Sequence, residues 1–137
     1  MSVIMSLSDR TPCGSLVDRL SVRVAVATGR IVSHISPQRI RLVLTMLRTG
    51  SRPATLATAV RWKQLVMTAS PHAAGSYGCL VRSLATVLAS RMHGEWPTWC
   101  VGVRVDPPFG VHAWVEAEGQ MVCEPARAGS YHTMVVV

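Results

Sequence analysis

Apolar residues recur at helical spacing through the first half of the chain and alternate through much of the second. Leucine and valine are dense from Leu16 to Thr28, and this pattern predicts a helix that Gly29 stops. A second helix is marked at both ends: Ser36 as N-cap, Pro37 at the first helical position and Gly50 after the last turn. Within it Ile40, Val43, Leu44 and Leu47 fall at i, i+3, i+4 and i+7, so they share a face, and Arg39, Arg41 and Arg48 flank that face. A third helix is expected from about Pro53 to Thr68, with Leu56, Ala59, Val60 and Val66 inward and Arg61 and Lys63 outward. Turn residues then make a loop of positions 70–76.

The period changes after this loop. Cys79 to Met92 is helical, with Leu80, Leu84, Val87 and Leu88 on one face, and Gly94 and Pro97 break the chain. Thr98–Val105 alternates as a strand does, placing Trp99, Val101, Val103 and Val105 on one side. Positions 106–110 read as a loop, Val111–Glu116 and Gln120–Glu124 as a hairpin, and Val135–Val137 as an edge strand. The expected fold class is α+β: N-terminal helices over residues 1–70, then a core over 71–137 in which a cysteine-bearing helix packs on a small antiparallel sheet.

Composition narrows the function classes. A chain of 137 residues suits one domain, and 49% hydrophobic residues argue against disorder. No apolar run approaches the roughly 18 residues of a membrane span, and Met1–Arg10 lacks a signal-peptide pattern, so a cytoplasmic protein is expected. The four cysteines, Cys13, Cys79, Cys100 and Cys123, form no CxxC pair and no metal-ligand spacing with histidines, so they read as free thiols and no metal is implied.

The net charge of +7 is uneven. Residues 1–70 hold ten Arg or Lys against Asp9 and Asp18, a balance of +8, whereas residues 71–137 hold four Arg against five acids, a balance of −1. The basic half invites an anionic partner, with Arg39, Arg41 and Arg48 as candidate partner-binding residues. Equally, these arginines can be the solvated faces of helices. The near absence of aromatics from this half argues against nucleic acid.

Candidate chemistry centres on Cys79. Gly75 and Gly78 bring the chain into its helix with little bulk around the thiol. A thiol at a helix N-terminus meets unpaired N–H groups and the positive end of the helix dipole, which favours the thiolate. The same N–H groups, that of Cys79 first, can hold an oxyanion. His112 is the one histidine embedded in a strand-like segment, where it alternates with Trp114 and Glu116.

The turn decides which residue faces His112. A two-residue loop, Glu118-Gly119, pairs Ala117 with Gln120 and puts Glu124 on the wrong face. A three-residue loop, Ala117-Glu118-Gly119, puts Gly119 at the left-handed position and pairs Glu116 with Gln120 and His112 with Glu124. The glycine favours the second register, in which Glu124 orients the imidazole of a Cys-His-acid triad. Glu116 and Asp106 stand as alternative acids.

The order of cysteine on a helix, histidine on a strand and acid on the next strand matches papain-like and transglutaminase-like enzymes. Gly78-Cys79-Leu80-Val81-Arg82-Ser83-Leu84-Ala85, Arg91 to Gly94, Val101-Gly102-Val103, Val111-His112-Ala113-Trp114-Val115-Glu116 and Gly119 together resemble the leader peptidases of lasso-peptide biosynthesis, over about residues 53–125. The resemblance implies a cysteine peptidase that cuts the leader from a ribosomally made precursor. It places the acid twelve residues after the histidine, at Glu124, where the family commonly shows Asp. It implies no cofactor. A separate leader-recognition protein would serve as partner, and an ATP-dependent lasso cyclase would act next. Two other readings fit the same residues: an inactive, peptide-binding module of this fold, and an enzyme of amide transfer or deamidation, because water and amine attack the same thioester.

Overall fold

The computed structural model describes residues 15–70, 78–105, 107, 110–122 and 131–137. Cys13, the loop at 71–77, Asp106, Cys123 and Glu124 lie outside the described residues.

Helix α1 spans Leu16–Val32, four residues beyond the expected end. Ser15 caps it, accepting at 3.2 Å from the Asp18 N–H while Asp18 accepts from the Ser15 N–H, a reciprocal capping box. Gly29 does not stop the helix but is buried inside it. A Cβ there would stand 3.3 Å from the Ala85 nitrogen, so this glycine lets two helix backbones approach closely.

Helix α2 spans Pro37–Arg48, as its caps predict. Its inward face is narrower than the spacing implies: Ile40 and Leu44 are buried, but Val43 and Leu47 are 37% and 38% exposed. Strand β1 is Arg52–Pro53, and helix α3 is Leu56–Ala69, so Pro53 precedes the helix rather than opening it. The N-cap is Thr55, which accepts from the Thr58 N–H at 3.2 Å. Lys63 corrects another expectation, because it points inward. It is 4% exposed, and its Nζ donates to the Val122 carbonyl at 2.6 Å.

Helix α4 is Cys79–Met92. It lies at the centre of the molecule, so both its faces are covered. Val81, Ala85, Leu88 and Ala89 pack with Val22, Ala25, Val26, Trp62, Leu65 and Val66 of α1 and α3. Leu84 and Val87 join Trp96, Trp99, Val115, Ala117 and Val122 on the sheet side. Small polar residues on α4 return their hydroxyls to its own backbone, as Thr86 does to the Arg82 carbonyl at 2.7 Å and Ser90 to that of Thr86 at 2.8 Å. The core therefore runs across position 70.

Strand β2, Glu95–Trp96, pairs in parallel with β1. The main sheet holds β3 (Thr98–Arg104), β4 (Val111–Ala117), β5 (Gln120–Met121) and β6 (Tyr131–Val136) in the antiparallel order β5-β4-β3-β6. The C-terminal tail thus forms an edge strand, longer than Val135–Val137 alone. The molecule is α+β, four helices with a small antiparallel sheet.

The hairpin register departs from the expected one. Ala117 pairs with Gln120 and Glu116 with Met121, across a two-residue turn. Glu118 at φ 54 and Gly119 at φ 75 both take the left-handed conformation that the tightest hairpin turns need. The Glu118 carboxylate also accepts from the Leu56 N–H at 2.7 Å, at the start of α3. The three-residue register, in which Glu116 pairs with Gln120, is not the one adopted.

Candidate active site

Cys79 is the first residue of α4, after the N-cap Gly78, and its side chain is half-buried. In the first turn the amide hydrogens have no carbonyl one turn back to receive them. The sulfur is hydrogen-bonded to the His112 imidazole and accepts from the Ala113 N–H. That bond to His112 is the main reason the thiol lies below its ordinary value. Partial burial opposes it, while the Ala113 N–H and the positive charges of His112 and Arg82 add to it.

Strand geometry explains how a helix N-terminus reaches a backbone amide of the sheet. Ladder N–H groups lie in the sheet plane, and those of residues i and i+2 point the same way. The Val122 N–H donates to the Val115 carbonyl at 2.9 Å, so Val115 faces β5. Ala113, two residues earlier, faces the same way. Among the described residues the ladder to β5 ends at this bond, and the Ala113 N–H is directed to the Cys79 sulfur. The sulfur therefore stands at the edge of β4, where His112 on one face and α4 on the other can both reach it.

The His112 ring is held by aromatic neighbours. It stacks on Tyr131 at 5.1 Å and on Trp114 at 5.9 Å, and these two rings lie 5.2 Å apart. Trp114 is buried, and its Nε1–H donates to the Glu116 carboxylate at 3.1 Å. Gly102 pairs with His112 across β3, beside a shift in the β3–β6 register. A Cβ on Gly102 would fall 2.8 Å from the Trp114 ring and 2.6 Å from the His132 carbonyl oxygen, so only glycine leaves the indole its seat. The alternation of His112, Trp114 and Glu116 was a visible sign that they share a face. Tyr131, on β6, and Gly102, on β3, come from other strands, and the alternation along β4 gives no sign of their contacts with the ring.

The cysteines differ sharply. Burial first, and then the nearby Glu116 carboxylate, push the Cys100 thiol up to about 12. Cys79 and Cys100 are free, and Cys100 is the inert, buried kind that composition led us to expect. Glu116, one of the alternative acids, is engaged with Trp114 and lies beside Cys100, four residues along the strand from His112. Glu124 and Asp106 lie outside the described residues.

Arg39, Arg41 and Arg48 are exposed on α2 and make no ion pair among the described residues. No group of His, Cys, Asp and Glu able to hold a metal occurs among the described residues. No described helix is long and apolar enough to cross a membrane.

No curated protein and no solved structure matches the chain. The sequence model of the transglutaminase-like superfamily does, over residues 22–136, a span that takes in most of α1, the Cys79 helix and the whole sheet. That superfamily includes cysteine peptidases and related enzymes, and its chemistry is typically cysteine-based. With a polarised thiol at a helix start, hydrogen-bonded to a strand histidine, and this match over most of its length, the chain belongs to the transglutaminase-like superfamily.

Proposed function

We propose that the chain is a cysteine peptidase of the cytoplasm that removes the leader from a lasso-peptide precursor. The observation that carries this reading is the bond between Cys79 and His112 at the start of α4, with the thiol pKa lowered. In the proposed reaction the Cys79 thiolate attacks the carbonyl of the last leader residue. The tetrahedral oxyanion is held by the Cys79 N–H and then collapses to a thioester. His112 gives its proton to the departing amine, which is the N-terminus of the core peptide. It then takes a proton from water, which attacks the thioester and releases the leader as an acid with Cys79 restored as thiol.

Glu124 is proposed to orient His112. Its assignment rests on the resemblance, which places the acid twelve residues after the histidine, and no longer on the hairpin register. The buried Lys63 holds the carbonyl of Val122, two residues earlier in the sequence than Glu124. A separate leader-recognition protein is proposed to dock through Arg39, Arg41 and Arg48, and an ATP-dependent cyclase to take the freed core. Incubating the chain with the precursor encoded beside it, with and without the recognition protein, tests the reading by mass spectrometry. One cut at the leader–core junction, with one water added, supports it. An uncut precursor in the presence of the partner, or a product carrying an added amine in place of water, overturns peptidase action.

A further inference from the structure

Helix α1 carries more apolar surface than its core face accounts for. Ser21, Val22, Ala25, Val26 and Gly29 are buried against the body of the molecule. On the outer side Val17, Leu20, Val24, Ala27 and Ile31 recur at alternating spacings of three and four, the spacing of a coiled-coil seam. Four of these side chains are large and well exposed: Val17 at 63%, Leu20 at 53%, Val24 at 53% and Ile31 at 71%. A monomeric surface leaves scattered leucines to water, but a seam four turns long is a different object.

The flank of the seam says what covers it. Arg23 and Arg30 each precede a seam position and stand where coiled coils place the charges that choose a partner. Among the described residues neither makes an ion pair; the one described acid of α1, Asp18, is engaged by Arg61 at 2.6 Å. A groove of about 280 Å³, lined by Arg23, Val26, Ala27, Arg30, Ala69 and Ser70, runs beside the seam and gives an entering side chain somewhere to go. A second copy of α1 does not complement this flank. In antiparallel pairing the arginines meet arginines, and in parallel pairing Arg23 meets Thr28 while Arg30 falls beyond the end of the partner helix.

We propose that the outer seam of α1 docks a helix of a second protein, one with its own apolar seam and with carboxylates along the flank that meets Arg23 and Arg30. This face is on a different helix from Arg39, Arg41 and Arg48, and the proposal does not rest on the peptidase reading, since its test reads binding alone. The full chain is titrated with two synthetic four-heptad peptides that share an Ile/Leu seam and carry either Glu or Lys on both flanks. The Glu peptide binds in the micromolar range, and its affinity falls as salt rises. Replacing Leu20, Val24 and Ile31 together by Gln, or Arg23 and Arg30 by Glu, weakens binding at least about tenfold, with the helical circular dichroism of the chain retained.

Three other results overturn the proposal. One is binding of neither peptide, or of both equally. Another is sedimentation as a dimer that the triple Gln variant dissolves, which makes the occupant a second copy. The last is binding to vesicles of phosphatidylglycerol without binding to the Glu peptide, which makes the occupant a lipid surface.

Discussion

Cys79 and Cys100 set opposite thiol chemistries side by side in one small molecule. The imidazole of His112 and the N–H of Ala113 stabilise a sulfur anion at position 79, whereas burial and the Glu116 carboxylate suppress one at position 100. The sign for activity follows directly. A lowered pKa keeps Cys79 as thiolate at a lower pH than the value of about 8.5 for a free thiol, so its alkylation by iodoacetamide should rise with a midpoint below that value. In His112→Ala the midpoint should move up toward the free value, because the largest lowering cause is gone. Cys100 should stay unlabelled in the folded chain across the same range. Peptide mapping of the alkylated protein checks both sites, and equal labelling of the two cysteines would contradict the account.

At the scale of elements, the sheet is shaped around the site. Gly102→Ala tests this, because its Cβ has nowhere to go between Trp114 and the His132 carbonyl. The substitution should destabilise the fold by roughly 1–3 kcal/mol, as overpacking does, and lower kcat more than it raises KM by shifting the His112 ring. Thermal unfolding together with peptide cleavage kinetics separates the two effects, and an unchanged kcat at reduced stability would make Gly102 merely structural.

The start of α4 was legible in the sequence because its period is clean and a glycine precedes it. The hairpin register was not. Glycine preference placed the left-handed position at Gly119 alone, but Glu118 takes that conformation too, with its carboxylate engaged at the start of α3 sixty-two residues away. A contact so distant in the chain overrides a local preference and is invisible to it. That Lys63 points inward is not legible for a related reason, since spacing along α3 cannot show that its amine finds a backbone carbonyl inside. Gly29 looked like a helix stop because the close approach of α1 to α4 that requires a glycine is a tertiary fact.

For the whole molecule, the helices of the first half are part of the core that carries Cys79, yet their outer faces keep the excess of positive charge. If recognition of the precursor is delegated to a partner on these faces, the isolated chain should cleave weakly and the partner should raise the rate strongly. Part of that gain should fall with salt, since steering between charged surfaces is screened. Reversing Arg39, Arg41 and Arg48 to Glu should reduce the partner's effect while basal cleavage of concentrated peptide stays unchanged. Steady-state rates at several salt concentrations check this, and full activity of the isolated chain, indifferent to partner and salt, would contradict it.

The central claim is that the Cys79 sulfur becomes acylated by the leader, and capture of that thioester tests it most directly. The chain is mixed with excess precursor and its recognition partner, quenched in acid within the first turnover, and weighed intact. The account predicts a species heavier by the mass of an acyl-linked leader, lost on treatment with hydroxylamine, mapped to Cys79 and absent from Cys79→Ala, which should also fail to cleave. Cleavage at the wild-type rate by Cys79→Ala, or an adduct mapped to any other residue, would contradict it.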